Sequence, residues 1–295
     1  MSTNTQTWFE ERLHSSLTLR VRIDTLLYQE ETQHQKIIIF DNQDMGRVLG
    51  LDNVVQTTSK DEYMYHEMLV HPALLARTCW QQQQNNTDTL DVLIIGGGDG
   101  GCAREVLKHP RARVTMVDID KRVIDLCVRY LPEHSNGAFD DERLTLIIDD
   151  GARYVRASPQ QFDAVIIDST DPIGPGKQLF TQEFFATCQS VLKQGGILIN
   201  QNGVPFLQPT IAQSHKNFQA VFRSHTFYFT SVPTYVGGVM AFGWACDDTT
   251  MHQWSTQHLA QVMRTSQLTT RYYTPDVAHA AFVMPPDIAA SLKAV

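Results

Sequence analysis

The chain is short of the features that would commit it to several protein classes. Only five of its 295 residues are cysteine (Cys79, Cys102, Cys127, Cys188, Cys246). They are odd in number, widely separated and form no C-x-x-C pair, so neither a disulfide framework nor a zinc site is indicated and buried thiols in a reducing compartment are the expectation. Long apolar runs are missing too. No segment approaches the roughly 20 apolar residues of a membrane span, and Met1 to Phe9 is polar, without an apolar run of signal length. A cytoplasmic protein that engages no membrane is expected. Positive charge is scarce: 24 Lys and Arg face 32 Asp and Glu, a net charge of −8, and no stretch gathers the cations into a patch. Nucleic acid is therefore not an expected partner, whereas a cationic small molecule is. No internal repeat is visible.

What is present has a clear rhythm. Leu17 to Ile23 alternates apolar and polar, Lys36 to Phe40 is rich in β-formers, and Asp41-Asn42 offers turn chemistry, so a small antiparallel β-domain is expected from about Leu17 to Gln56. Ser59-Lys60-Asp61-Glu62 has the Ser-x-x-Glu form of a capping box and predicts a helix through about Ala76, carrying Tyr65 and His66. Gln81 to Asp88 is polar and of low complexity and reads as a solvated connection. Beyond it, apolar runs at Asp91–Ile95, Arg113–Val117, Leu144–Ile148, Ala164–Ile167 and Ile197–Asn200 alternate with helical patterns around Arg104, Val123, Tyr154, Phe184 and Ile211. Such units predict a parallel sheet covered on both faces. His225–Phe229 and Met240–Ala245, joined by a Pro/Gly loop, predict a closing hairpin. The expected division is residues 1–75 for the β-domain and its linking helix, and 76–295 for the rest.

Leu90 to Ile95 runs into Gly96-Gly97-Gly98-Asp99-Gly100-Gly101, where glycines let backbone approach a ligand closely. Gly96, Gly98 and Gly101 satisfy G-x-G-x-x-G, which leaves open a dinucleotide and an adenosyl sulfonium. Asp118, 20 residues after Gly98, can accept both ribose hydroxyls of either, or can cap a helix. Asp150, before Gly151, can accept the adenine amine or cap the helix near Tyr154. Asp99 separates the two ligands. A pyrophosphate over this turn needs free N–H groups, not a fixed negative charge. The carboxylate of S-adenosylmethionine would likewise be repelled, and its removal leaves an ammonium and a sulfonium that Asp99 attracts.

Phe162 to Ile167 leads to Asp168 and, three residues on, Asp171, at the sheet edge where such folds bind ligands. A metal site is the alternative, but no histidine or third acid joins the pair in sequence, so a cationic substrate is preferred and no metal is expected. Asp171 to Gln178 is rich in Pro and Gly and suits a lid or an ordinary surface connection.

Gly96–Gly101, Asp168-Ser169-Thr170-Asp171-Pro172, Val55-Gln56-Thr57-Thr58, Asp61 to Glu67 and Pro233-Thr234-Tyr235 together resemble the spermidine synthases of the polyamine aminopropyltransferase family, from Trp8 to about Pro286. The resemblance implies an α/β fold with a Rossmann-like, methyltransferase-type parallel sheet and a C-terminal antiparallel hairpin, preceded by a small antiparallel β-domain. It implies transfer of an aminopropyl group from decarboxylated S-adenosylmethionine, a co-substrate and not a cofactor, to putrescine, in a homodimer or homotetramer; the alternatives are an S-adenosylmethionine-dependent amine N-methyltransferase and a non-catalytic polyamine- or nucleoside-binding module. It also implies Gln35, Gly96, Gly98, Asp99, Asp118, Asp150 and Gly151 around the nucleoside and aminopropyl chain, Asp168 as general base assisted by Tyr65, and His66, Asp171, Tyr235 and Trp8 along the diamine channel. Asp118 stands where the family usually has Glu. Singly, Tyr65, Tyr235 and Trp8 could be packing aromatics and His66 a satisfied buried histidine.

Overall fold

The structure, a computed structural model, describes residues 7–172 and 174–293. Ile173, in the middle of the expected lid, and Met1 to Gln6 lie outside the described residues. The N-terminal part holds a two-stranded sheet, β1 (Thr7–His14) with β2 (Leu17–Ile23), and a four-stranded meander of β3 (Thr25–Glu31), β4 (Lys36–Asn42), β5 (Gly46–Leu51) and β6 (Val54–Thr58), all antiparallel. Asn42 ends β4 and closes the next turn, its side-chain oxygen accepting from the N–H of Asp44 and of Met45.

Helix α1 (Glu62–Gln83) then leads into the large sheet of β7 (Leu90–Gly96), β8 (Ala112–Asp118), β9 (Leu144–Ile148), β10 (Phe162–Asp168), β11 (Leu192–Gln201), β12 (Ser224–Ser231) and β13 (Val239–Cys246). Its order is β12-β13-β11-β10-β7-β8-β9. The strands from β11 to β9 are parallel, and the hairpin β12–β13 is antiparallel at one edge. Helices α2 (Gly101–Leu107), α3 (Lys121–Tyr130), α4 (Pro132–Ser135), α5 (Gly151–Ala157), α6 (Gln182–Ser190) and α7 (Thr210–Val221) connect the strands, and α8 (Thr256–Thr265), α9 (Pro275–Ala281) and α10 (Pro286–Lys293) follow. Every strand and connecting helix expected from Asp91 onward is present.

Alternate residues of one strand point to opposite faces. Val92, Ile94, Ala164 and Ile166 accordingly meet α1 and α2 on one face, while Leu93, Ile95, Val165 and Ile167 meet α5, α6 and α7 on the other. The meander docks through Ile37, Ile39, Leu49 and Leu51 onto Val123, Leu126 and Cys127 of α3.

Two local expectations need correction. Ser59 does not cap α1: its hydroxyl accepts from the N–H of Arg47, and Asp61 holds the cap position without a capping bond of its own. The Ser-x-x-Glu spacing was met by a residue that the β5–β6 pairing had already engaged. The glutamine run is not a solvated connection from its start, because α1 continues through Gln83 and Gln81 is buried, donating to Asp163 and accepting from Arg111. Pro72 sits inside this helix and cannot donate to the carbonyl of Met68. The buried Tyr228 hydroxyl donates to that carbonyl instead, at 2.8 Å.

Helix α1 is pinned at the far end of the sheet by charge. The buried Arg77 donates from Nε and Nη2 to Asp163 Oδ1 at 2.9 and 2.8 Å, while Lys193 reaches Asp163 Oδ2 at 2.7 Å. Removing one partner strands a buried charge, so Arg77→Met is expected to cost about 3–5 kcal/mol in urea unfolding. A loss under ~1 kcal/mol would show that the pair does not hold the helix.

Candidate active site

The sheet reverses its winding between β7 and β10, and their carboxyl ends open a crevice there. Gly96 and Asp168 are register partners across it, and the N–H of Gly97 donates to the Asp168 carbonyl at 2.9 Å. Gly96 has φ +85°, and a Cβ on it would lie 2.1 Å from that carbonyl oxygen, so only glycine fits.

A cavity of about 590 Å³ spans this crevice and reaches the N-terminal strands. Its described lining includes ten Asp and Glu against one Arg and no Lys, which sets it for a cationic occupant. Gly98, Asp118, Asp150 and Gly151, together with Tyr65, His66, Asp99, Asp168, Asp171 and Tyr235, are all on its wall.

Tyr65 donates its hydroxyl to Asp168 Oδ1 at 2.8 Å. Burial raises the Asp168 carboxyl to about 6; the neighbouring His66 pulls the other way, and Asp99 adds to the rise. A carboxyl near its reference pKa is too weak a base to take a proton from an ammonium, and the rise brings Asp168 closer to that task. Burial and then Asp168 push the Tyr65 phenol well above its usual range, so it keeps its proton. Asp118 is likewise raised to about 6 by burial, although the N–H of Asp120 donates to its Oδ1 at 2.8 Å.

His66 is not a free channel wall. Its Nδ1 lies 2.7 Å from Glu62 Oε2 and its Nε2 3.4 Å from Asp99 Oδ2. Burial opposes its charge, yet the two carboxylates outweigh burial and raise its pKa well above the ordinary value. The sequence argument that no histidine joins the acids fails in space, since ligand atoms of His66, Asp99 and Asp168 lie within 4.8 Å of one another. Both ring nitrogens of His66 already face a carboxylate, Glu62 on one side and Asp99 on the other.

Other expected residues arrive with partners. Gln35 is at the cavity and donates from Nε2 to Asp120 Oδ2 at 2.8 Å. Asp150 caps α5, accepting from the N–H of Arg153, while its second oxygen accepts from Gln178 Nε2 at 2.8 Å. The capping alternative is thus realised, with the residue still on the cavity wall. Asp171 accepts from Gln208 Nε2 at 2.9 Å, and Tyr235 donates to the carbonyl of Gln56 at 2.6 Å. Trp8 is not brought to the cavity: it is 40% exposed on β1, with the Arg20 guanidinium 5.2 Å from its ring. Sequence reasoning passed over Glu11, which faces the cavity and accepts from the N–H of Val55 at 2.7 Å. It also passed over Asp61, which takes the Thr58 hydroxyl and both the N–H and hydroxyl of Thr234 at 2.7 Å each, tying the hairpin loop of Tyr235 to the start of α1. Neither stands beside the glycine turn or at the carboxyl end of a strand of the large sheet, which were the signals followed.

A fold and site of this kind define a nucleoside-dependent transferase. Residues 62–254 match the spermine/spermidine synthase domain and residues 7–59 the spermidine synthase tetramerisation domain. A polyamine aminopropyltransferase of Pectobacterium atrosepticum is 45% identical over 288 residues, 97% of each chain. Polyamine aminopropyltransferase 1 of Pseudomonas aeruginosa is 45% identical over 279 residues, 94% of each. Among solved structures, a spermidine synthase in complex with the transition state analogue AdoDATO superposes with a TM-score of 0.89 at 32% identity, covering 99% of this chain and 96% of that one. The spermidine synthase of Thermotoga maritima gives 0.86 at 31%, covering 99% and 95%. The chain belongs to the spermine/spermidine synthase family.

Proposed function

We propose that the protein is a spermidine synthase, transferring the aminopropyl group of decarboxylated S-adenosylmethionine to putrescine. The observation that carries this reading is the Tyr65–Asp168 pair, with a carboxyl raised to about 6, set beside Asp99 in an acid-lined cavity. The names of the relatives and the bound analogue of the solved synthase agree with it.

In this reading the nucleoside lies at the Gly98, Asp118, Gly151 end, with ribose on Asp118, adenine toward Asp150 and Gln35 at the rim. Asp99 faces the donor ammonium and Asp171 the far ammonium of putrescine, with Tyr235 and His66 between. A putrescine amine begins near the reference ammonium pKa of roughly 10.4 and must lose a proton before attack. Burial against Tyr65 favours the neutral form, and Asp168 takes the proton and passes it to water. The nitrogen lone pair forms a bond to the aminopropyl carbon, the carbon–sulfur bond breaks, and its electrons convert the sulfonium to neutral methylthioadenosine. No protein nucleophile or cofactor is needed; alignment and desolvation do the work.

We further read residues 1–75 and 76–295 as the two domains, although α1 spans that boundary as one helix. A homodimer or homotetramer fits the matched tetramerisation domain, and we read its location as the cytoplasm. Among the described residues no helix is long and apolar enough to cross a membrane. The test is product analysis: purified protein with the decarboxylated donor and putrescine should yield spermidine and methylthioadenosine in equal amounts, and the absence of both would overturn the proposal.

A further inference from the structure

Behind His66 and Asp99 runs a buried line of charge that does not touch the reacting atoms. Asp99 Oδ1 accepts from the N–H of Gly101 at 2.9 Å, and its Oδ2 faces His66. On the other side of His66, Glu62 accepts a paired contact from Arg104, Nη1 to Oε1 at 3.0 Å and Nη2 to Oε2 at 2.9 Å. Arg104 is held in turn by Glu105 at 2.7 Å and by the carbonyl of His134 at 2.7 Å. The line joins the start of α1 to the start of α2, and so to the glycine turn between β7 and α2.

The chemistry of the acceptors decides the state of the ring. Glu62, clasped by a guanidinium, is ionised and can only accept, so Nδ1 of His66 donates to it, while Nε2 faces a second carboxylate oxygen, of Asp99, at 3.4 Å; two acids on opposite sides favour the ring that carries both protons. The remaining groups that face His66 are Tyr65 on its own helix, Asp168 on β10 and His134 on α4. Of these Asp168 is the acid, and it too favours the cation. Shape fits the same purpose: a Cβ on Gly101 would fall 2.3 Å from His66 Cε1, so the absent side chain lets the ring lie against the turn.

We propose that Glu62 and Arg104 are positioning residues for the transfer, which hold His66 as a two-sided donor and thereby fix Asp99 toward the ammonium of the donor's aminopropyl chain. The proposal rests on the aminopropyl-transfer reading and deepens it. Arg104 supplies the charge that keeps Glu62 ionised, Glu62 keeps the second proton on His66, and His66 stops Asp99 from swinging to solvent. Neither Glu62 nor Arg104 touches the reacting atoms.

The test uses the full chain labelled with nitrogen-15 in histidine, with His66 assigned by its loss in His66→Gln. Both ring nitrogens of the wild type should stay protonated from about pH 6 to 9, across the range where an ordinary histidine loses its charge. In Glu62→Gln, and in Arg104→Gln, the ring should give up a proton within that range, while Arg104→Lys should restore the wild-type pattern. By calorimetry, Glu62→Gln should bind decarboxylated S-adenosylmethionine about tenfold more weakly, the usual effect of losing a hydrogen bond to a charged group. It should bind methylthioadenosine, which lacks the ammonium, as the wild type does. A merely structural role would weaken both ligands together. A neutral His66 in the wild type at about pH 7.5, or a folded Glu62→Gln protein with unchanged donor affinity, would overturn the proposal; if Glu62→Gln fails to fold, Arg104→Gln reads the same two quantities. The ring shifts need no turnover, so an inactive wild type would sink the transfer reading without deciding this one.

Discussion

Replacing Asp168 with asparagine is expected to cut aminopropyl transfer by about 10²–10⁴-fold, the usual contribution of a positioned proton acceptor, and at the same time to stabilise the unliganded protein. The loss follows from the carboxyl's place beside Tyr65. The gain follows from its raised pKa. A carboxyl lifted from 3.8 to about 6 by burial is ionised at neutral pH against the preference of its surroundings, a strain on the order of 3 kcal/mol. The sign is set by linkage. With the folded pKa above the unfolded one, the favourable protonated state is fully present below pH 3.8 and is lost as the pH rises through about 6. Asparagine keeps an oxygen for the Tyr65 hydroxyl and carries no charge. Its advantage over the wild type should therefore be absent near the unfolded pKa and reach about 1–3 kcal/mol above the folded one. Urea unfolding at both ends of that range reads it directly; a variant no more stable than wild type at the alkaline end would show that Asp168 is not strained. Saturating cationic donor should shrink the difference, because it gives the charge a partner that asparagine cannot use.

The second large effect belongs to Gly96→Ala. The residue has φ +85°, which costs an L-residue roughly 1–2 kcal/mol. The added methyl would in addition lie 2.1 Å from the carbonyl oxygen of Asp168, a backbone atom that cannot rotate aside. Relief requires β7 and β10 to part at their carboxyl ends, which moves Gly97, Asp99 and Asp168 together. The expected result is a loss of more than about 3 kcal/mol in unfolding free energy. Activity should fall at least about 100-fold, since misplacement of the reacting groups by about 1 Å costs that much. Near-wild-type turnover would mean that the site does not depend on the seam between these strands.

The parallel sheet was legible because fully buried strands must be continuous apolar runs, and five of them stood between helical patterns. The glycine turn, Asp118 and Asp168 were legible because ligands meet such sheets at strand ends. Tyr65 and Tyr235 were not: an aromatic residue on a helix or in a loop looks the same whether it packs or donates, and only the resemblance of several motifs together set them apart. The Ser59 spacing misled because a capping pattern does not reveal that a hydroxyl is already bound across a strand pair. Trp8 shows the complementary limit, since position on a strand does not say which neighbour its face will meet. The contacts of Asp61 with Thr234 and of Arg104 with Glu62 were not legible, because these partners lie 173 and 42 residues apart and only folding brings them together. The helices after Cys246 were left unread, having polar faces and no chemistry-bearing motif.

The central claim is that an acid-lined cavity around Asp99 and Asp168 selects a donor without a carboxylate. The most direct measurement is methylthioadenosine release with putrescine as acceptor, from decarboxylated S-adenosylmethionine and, separately, from the intact compound. Release from the decarboxylated donor alone, largely abolished in Asp168→Asn, is the predicted result. Equal release from both donors, or formation of S-adenosylhomocysteine from the intact one, would contradict it.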